Sequence, residues 1–70
     1  MKISARNQLK GTVKQLHVGA VNTEVIIELA SGIEISSIIT KESAENLKLK
    51  VGSPVYAVVK ASNVMVGIDD

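Results

Sequence analysis

The chain has 70 residues and a net charge of +1; 46% of its residues are hydrophobic, yet it has no Phe, Trp or Cys and one Tyr. This length predicts a single domain over residues 1–70, with a marginal core, because so short a chain buries only about 60% of its unfolded surface. Without cysteine there are no disulfides and no thiolate metal sites, so we expect stabilisation by homo-oligomerisation. The small net charge argues against bulk attraction to nucleic acid or membrane.

The first half of the chain predicts three strands. Residues 8–18 alternate, with Leu9, Gly11, Val13 and Gln15 on one face, and Gly11 marks a bend or a close backbone approach. A turn is predicted at 19–22. Strands at 23–29 and 33–39 flank the short turn Ala-Ser-Gly, which predicts a hairpin.

In the second half the pattern changes at Thr40, which is a good helix N-cap. Glu42 lies favourably in the first turn of the short helix that follows, which we expect to span about two turns. Pro54 suits the first residue of a strand. Strands are then predicted at 55–60 and 64–68, joined by a tight connection at 61–63.

This order of elements predicts an all-β fold with one short helix. Five strands with a helix between the third and fourth is the order of a five-stranded OB-like Greek-key barrel. An SH3-like barrel and an open meander are the alternative architectures.

The sequence offers little for catalysis. His17 stands alone near a strand end, the acidic residues are scattered, and no metal-ligand spacing is present. We therefore expect no enzyme and no directly ligated metal. Tyr56 lies in an apolar strand and is predicted to be core, which leaves no aromatic platform for single-stranded nucleic acid.

Three polar clusters point instead to an anion. Arg6, the single arginine, lies close to Ser4, and Lys60 is followed by Ala61 and Ser62. Arg6 and Lys60 together carry two positive charges, which match one tetrahedral dianion. A surface arginine is the plainer interpretation of Arg6.

Thr40 and Ser43 form the third cluster, at the start of the predicted helix. Hydroxyls and free N–H groups at a helix N-terminus favour an anion. The plainer interpretation of Thr40 is a helix cap, and the two roles are compatible.

Three segments resemble one family. Ser-Ala-Arg-Asn-Gln-Leu-Lys-Gly at 4–11 resembles the opening motif of the molbindins, the small molybdenum-pterin-binding (Mop) proteins. Lys-Ala-Ser-Asn-Val-Met at 60–65 is similar to the closing motif of that family, and residues 36–47 are similar to its central segment. The resemblance covers essentially the whole chain, at the length of a single-domain member.

The resemblance implies an OB-type barrel assembled as a homohexamer, a trimer of dimers. It implies storage of molybdate or tungstate in the cytoplasm, at sites between subunits, with no organic cofactor and no nucleic-acid or membrane partner. A molybdopterin-cofactor carrier and a non-specific single-stranded nucleic-acid-binding module are the alternative functions.

The resemblance also assigns site residues. The oxyanion-binding positions are Ser4, Arg6, Lys60, Ala61 and Ser62, with Thr40 and Ser43 contributed by a neighbouring subunit. A second kind of site near a symmetry axis is assigned to the loop Gly19, Ala20, Val21 and Asn22.

Overall fold

Strand β1 (Asn7–Val18) is the longest element of a four-stranded antiparallel sheet, in a computed structural model that describes all 70 residues. It pairs with β2 (Asn22–Leu29) on one side and with β4 (Pro54–Val59) on the other. Strand β3 (Glu34–Thr40) pairs with β2, so the strand order is β3-β2-β1-β4. The first four predicted strands and the all-β fold with one helix are confirmed, each strand to within one residue at either end.

The hairpin and the helix follow from their local sequence. Gly32 has φ 86°, in the left-handed region, and its amide closes the β2–β3 turn on the Leu29 carbonyl at 2.9 Å. Helix α1 (Lys41–Asn46) starts at the predicted N-cap Thr40, whose hydroxyl oxygen accepts a hydrogen bond from the Ser43 amide at 3.0 Å. The helix has six residues, close to the predicted two turns.

A β-bulge changes which residues of β1 face inward. The register against β2 slips between Val13 and Gln15. The predicted alternation therefore holds through Gly11 and Val13 and then fails, since Leu16 is half-buried and Gln15 is exposed. Gly11 shows the predicted close approach, because a Cβ there would lie 2.6 Å from the Glu28 carbonyl oxygen.

The core is small and is formed by side chains of β1, β2 and β4. Five of the 70 residues are buried: Val13, Thr23, Val25, Ile27 and Ala57. Half-buried apolar side chains surround them, namely Leu16, Leu29, Ile35, Ile39, Leu49 and Val55. So small a buried set leaves the single chain with less core than its apolar content would allow.

The structure does not confirm the predicted fifth strand at 64–68. After β4 a 3₁₀ turn, η1 (Ala61–Asn63), redirects the backbone, and residues 64–70 belong to no strand. A strand needs a hydrogen-bonding edge, and this segment lies on none. Strands β3 and β4 are consequently the two edges of an open sheet, and the predicted closed five-stranded OB-like Greek-key barrel is not formed.

The prediction that Tyr56 belongs to the core is also wrong. Its side chain is 48% exposed, whereas its neighbours Val55 and Ala57 point inward, as the two-residue period of a strand requires. The helix content is limited to short segments, none of which has the length and hydrophobicity to cross a bilayer.

Candidate functional site

The pairing of β1 with β4 brings the two cationic clusters together. Asn7 is the last residue of β1 to pair with β4, opposite Val59. Arg6 and Lys60 are the next residues beyond that pair, and both line the same surface pocket.

A surface pocket forms around this pair. Its lining residues are Ile3, Ser4, Ala5, Arg6, Lys60, Ala61 and Ser62. All five residues that were predicted for one side of an oxyanion site are therefore in one place, although they come from opposite ends of the chain. Ile3 and Ala5 are additional lining residues that sequence reasoning missed, since nothing in their apolar side chains marks a binding site.

The pocket carries positive charge that no negatively charged side chain neutralises. No carboxylate lines it, and neither Arg6 nor Lys60 forms a salt bridge or a side-chain hydrogen bond. The salt bridges of the chain are those of Lys14 with Glu28 and Glu34, on other strands. Two adjacent, unpaired cations repel each other, and an anion between them removes that repulsion.

Turn η1 adds hydrogen-bond donors to the pocket. Its hydrogen bonds begin with the Asn63 amide, which donates to the Lys60 carbonyl at 2.9 Å. The amides of Ala61 and Ser62 precede that bond and have no helical acceptor. With the hydroxyls of Ser4 and Ser62 they supply neutral donors beside the two charges, the donor types that bind an oxyanion.

Thr40 and Ser43 lie elsewhere on the same chain. Thr40 pairs with Asn22 at the start of β2, beside the Val18 end of β1. Arg6 precedes the opposite end of that strand, whose 12 residues extend roughly 36 Å at the usual rise per residue. One chain therefore does not bring the seven predicted residues together.

The Thr40 cap nevertheless leaves a donor available. Thr40 Oγ1 accepts from the Ser43 amide and donates to Ser43 Oγ at 2.8 Å. The Ser43 hydroxyl is exposed, and its own proton is not used by these two bonds. The plainer interpretation of Thr40 as a cap is confirmed, and Ser43 remains able to donate to an external acceptor.

Some backbone groups of the loop predicted as a second site already form hydrogen bonds within the chain. The Gly19 amide donates to the Asn22 carbonyl at 2.8 Å, and the Lys41 amide donates to the Val21 carbonyl at 2.7 Å. Ala20 is exposed between them. The second bond ties the loop to the start of α1, so the loop and the Thr40–Ser43 pair form one continuous surface.

His17 is engaged with a neighbour on its own strand. Its Nε2 lies 3.0 Å from Gln15 Oε1, and both side chains are exposed. No nucleophile or carboxylate takes part in this contact. The arrangement provides no acid–base pair.

Comparison with known proteins identifies the family. The model of the TOBE domain matches residues 3–66. The chain is also 46% identical over 69 residues to a probable molybdenum-pterin-binding protein of Haemophilus influenzae, with 99% of this chain and 100% of that protein covered. The chain belongs to the molybdenum-pterin-binding (Mop) family of TOBE domains. The family prediction made from the three motifs is confirmed.

Other Mop relatives place the same domain in different contexts. The chain is 55% identical over 65 residues to the molybdenum transport protein ModE of Azotobacter vinelandii, of which it spans 24% of the length. Among solved structures it resembles MopII from Clostridium pasteurianum, with a TM-score of 0.91 and 49% identity over 96% of this chain and all of that one.

A second solved structure contains bound molybdate. The cytoplasmic molybdate-binding protein ModG, solved with molybdate bound, gives a TM-score of 0.94 at 51% identity. The match covers 99% of this chain and 49% of ModG. This Mop chain thus shares its fold and half its sequence with a protein that binds molybdate.

Proposed function

We propose that this Mop-family protein binds and stores molybdate, and also tungstate, in the cytoplasm. The observation that carries the proposal is the pocket that is lined by both Arg6 and Lys60 and by no carboxylate. Their two positive charges match the charge of one MoO₄²⁻ or WO₄²⁻ ion. The molybdate bound to ModG supports the choice of ligand.

The proposed site is completed between subunits. Ser4, Arg6, Lys60, Ala61 and Ser62 surround the ion from one chain, and Thr40 and Ser43 approach from a neighbour. The distance between these two groups on a single chain favours this division. The proposed assembly is a homohexamer, a trimer of dimers, and the loop Gly19, Ala20, Val21 and Asn22 is the proposed second site near a symmetry axis.

The proposed role is binding without catalysis. Hydroxyl, amide, ammonium and guanidinium donors hold a deprotonated oxyanion but provide no nucleophile or base. Selectivity over sulfate is expected from the size of the completed cavity, since molybdate and tungstate are larger tetrahedra of the same charge.

Calorimetry with molybdate tests the site directly. Arg6→Ala removes a charge-assisted donor fork, which is worth about 1.5–3 kcal/mol, so we expect affinity to fall at least tenfold. Lys50→Ala is the matched control, since it removes one exposed positive charge outside the pocket and leaves the affinity unchanged. Equal affinity in wild type and Arg6→Ala would show that the pocket is not the site.

A molybdopterin-cofactor carrier is the alternative suggested by the names of the relatives. A pterin is a flat aromatic ring system and would be expected to stack on aromatic side chains, but no aromatic residue lines the pocket. Protein purified from its host should contain molybdenum without pterin fluorescence; stoichiometric pterin would favour the carrier.

Single-stranded nucleic-acid binding is the other alternative, and Tyr56 bears on it because its ring is accessible. One aromatic residue does not make a stacking platform. Salt-sensitive binding of an oligonucleotide at low ionic strength would support this function. We expect none.

A further inference from the structure

A small cavity lies between helix α1, the end of β1 and the start of β2. Its volume is about 150 Å³. Four apolar side chains form its walls: Leu16, Val18, Ala44 and Leu49. An engineered apolar cavity of about that volume holds benzene, so this cavity has room for a ligand of about six heavy atoms. It shares no lining residue with the pocket around Arg6 and Lys60.

Thr23 lies at the floor of this cavity, with a hydroxyl that no group of the chain satisfies. The residue is 1% exposed, and its Oγ1 has no hydrogen-bond partner. Its register partners on the neighbouring strands are Val18 and Ile39, whose side chains offer no donor or acceptor. Because a buried hydroxyl without a partner is destabilising, buried polar groups are normally paired. The cavity is the space from which a partner can reach this hydroxyl.

Packing alone does not account for a threonine at this position. Thr23 shares the inward face of β2 with the buried Val25 and Ile27. Valine has nearly the same shape as threonine and would fill the position without burying a hydroxyl. The Thr23 hydroxyl is the one polar side-chain group among the five buried residues of the chain.

Three exposed, charged side chains line the mouth of the cavity. Lys41 and Lys48 are positive and Glu45 is negative, and none of the three takes part in a salt bridge. The mouth therefore carries one net positive charge, which matches a monoanion. The pocket around Arg6 and Lys60 has two positive charges and no carboxylate, so the two places favour ligands of different charge.

Lys48 is held at this mouth in a backbone conformation that favours glycine. Its φ is 53°, in the left-handed region. Its amide donates to the Glu45 carbonyl at 3.0 Å, and the next amide along the chain donates to the Ala44 carbonyl at 3.2 Å, so the helix terminates here. Glycine is the usual residue at such a position, because a side chain there is strained. The strained lysine places an ammonium group beside the cavity.

We propose that this cavity binds a short monocarboxylate that also carries a hydroxyl or carbonyl oxygen. The carboxylate lies at the mouth, where the ammonium groups of Lys41 and Lys48 donate charge-assisted hydrogen bonds to it. The second oxygen pairs with the Thr23 hydroxyl at the floor. The carbon chain between them contacts the apolar walls.

Other occupants match the lining less well. Water alone would pair with Thr23 but would leave four apolar side chains in contact with water instead of carbon. A tetrahedral dianion carries more charge than the mouth compensates and would face the carboxylate of Glu45. An aliphatic carboxylate without a second oxygen leaves the Thr23 hydroxyl unpaired.

Three matched ligands test the two polar contacts separately. L-lactate carries both polar groups, propionate lacks the hydroxyl, and lactamide lacks the charge. The full-length protein is titrated with each ligand at millimolar concentrations by calorimetry, and amide chemical shifts are followed by NMR. We expect lactate to bind at least about tenfold more tightly than either analogue, because each analogue leaves a polar group of the site unpaired.

The NMR shifts locate the binding. Lactate should move the amide signals of Thr23, Ala44 and Lys48 more than those of Ala61 and Ser62, which line the other pocket. Absence of lactate binding, equal affinities for the three ligands, or shifts confined to Ala61 and Ser62 would each overturn the proposal.

Thr23→Val separates ligand binding from stability. It keeps the shape of the side chain and removes the unpaired hydroxyl, so the urea midpoint without ligand should be no lower than that of the wild type. Lactate affinity should fall at least about tenfold, whereas Thr23→Ser retains the hydroxyl and should retain binding. Wild-type lactate affinity in folded Thr23→Val would contradict the assignment of the floor.

Lys48→Gln tests the mouth and removes one charge without touching the buried residues. We expect lactate affinity to fall at least about threefold, because a charge-assisted hydrogen bond is lost. Lys50→Gln is the matched control, since Lys50 is exposed and lies outside the cavity. Equal losses in both variants would indicate general attraction of anions and would overturn the site. Arg6→Ala should leave lactate binding intact, so this inference and the proposed molybdate site can fail separately.

Discussion

Arg6 and Lys60 come from opposite ends of the chain and line one pocket, which no acidic side chain lines. Like charges brought close together repel each other, so this arrangement is the basis of the role proposed for the two residues. The identity of both residues is readable from the sequence. Their adjacency is not, because it depends on the pairing of Asn7 with Val59 across 52 residues of chain. A dianion bound in the proposed site would be attracted by both charges.

Lys14 provides the contrasting case of a fully compensated cation. It lies at the bulge of β1, and its ammonium group contacts Glu34 on β3 and Glu28 on β2. The hydrogen bond from Lys14 to Glu34, then the negative charges of Glu34 and Glu28, raise the pKa of Lys14 above its usual 10.5. Its stabilising effect is fully present below the pKa of the unfolded chain and is lost as the pH rises through the folded value.

Lys14→Gln should therefore be destabilising in a pH-dependent way. We expect its deficit in unfolding free energy, measured with urea at low salt, to be constant from pH 7 to 9 and to shrink above about pH 10.5. Lys10→Gln is the control, because Lys10 is exposed and forms no salt bridge. A Lys14→Gln deficit that persists unchanged at pH 11.5 would contradict the charge interaction as its cause.

At the scale of elements, the side-chain pattern predicts secondary structure correctly only where the backbone is regular. The mostly apolar run in Thr23–Leu29 and the cap at Thr40 predict β2 and α1 correctly, because local side chains decide those structures. Alternation in β1 fails beyond Val13, since a bulge leaves no distinct residue type behind. The segment 64–68 has a strand pattern but forms no strand, because it pairs with no edge of this chain's sheet.

Thr40 allows capping and ligand binding to be separated. Thr40→Ala removes the oxygen that accepts from the Ser43 amide and should cost about 1 kcal/mol of stability, read as a lower urea midpoint. Thr40→Ser retains that oxygen and should restore stability. If Thr40 and Ser43 also complete a neighbour's site, Thr40→Ala weakens molybdate binding as well; unchanged affinity would confine Thr40 to its role as a cap.

At the scale of the whole molecule, the single chain has a small core and exposes several large apolar side chains. Five residues are buried, whereas Met65, Val66 and Ile68 are each at least 90% exposed, and these observations favour association with other copies. The proposed oxyanion site would also be divided between chains. Assembly and ligand binding should then share one equilibrium, because each depends on two chains being in place.

Molybdate should therefore stabilise the assembly and not merely the fold. A ligand that binds the assembled state alone stabilises it by about 2.7 kcal/mol per site at 100 times its dissociation constant. We expect molybdate to raise the melting temperature and to lower the protein concentration at which the oligomer dissociates, measured by calorimetry and light scattering. Sulfate at the same ionic strength controls for screening, and Arg6→Ala should remove both effects. A site completed within one chain predicts a different result, in which molybdate raises the melting temperature but leaves the dissociation concentration unchanged.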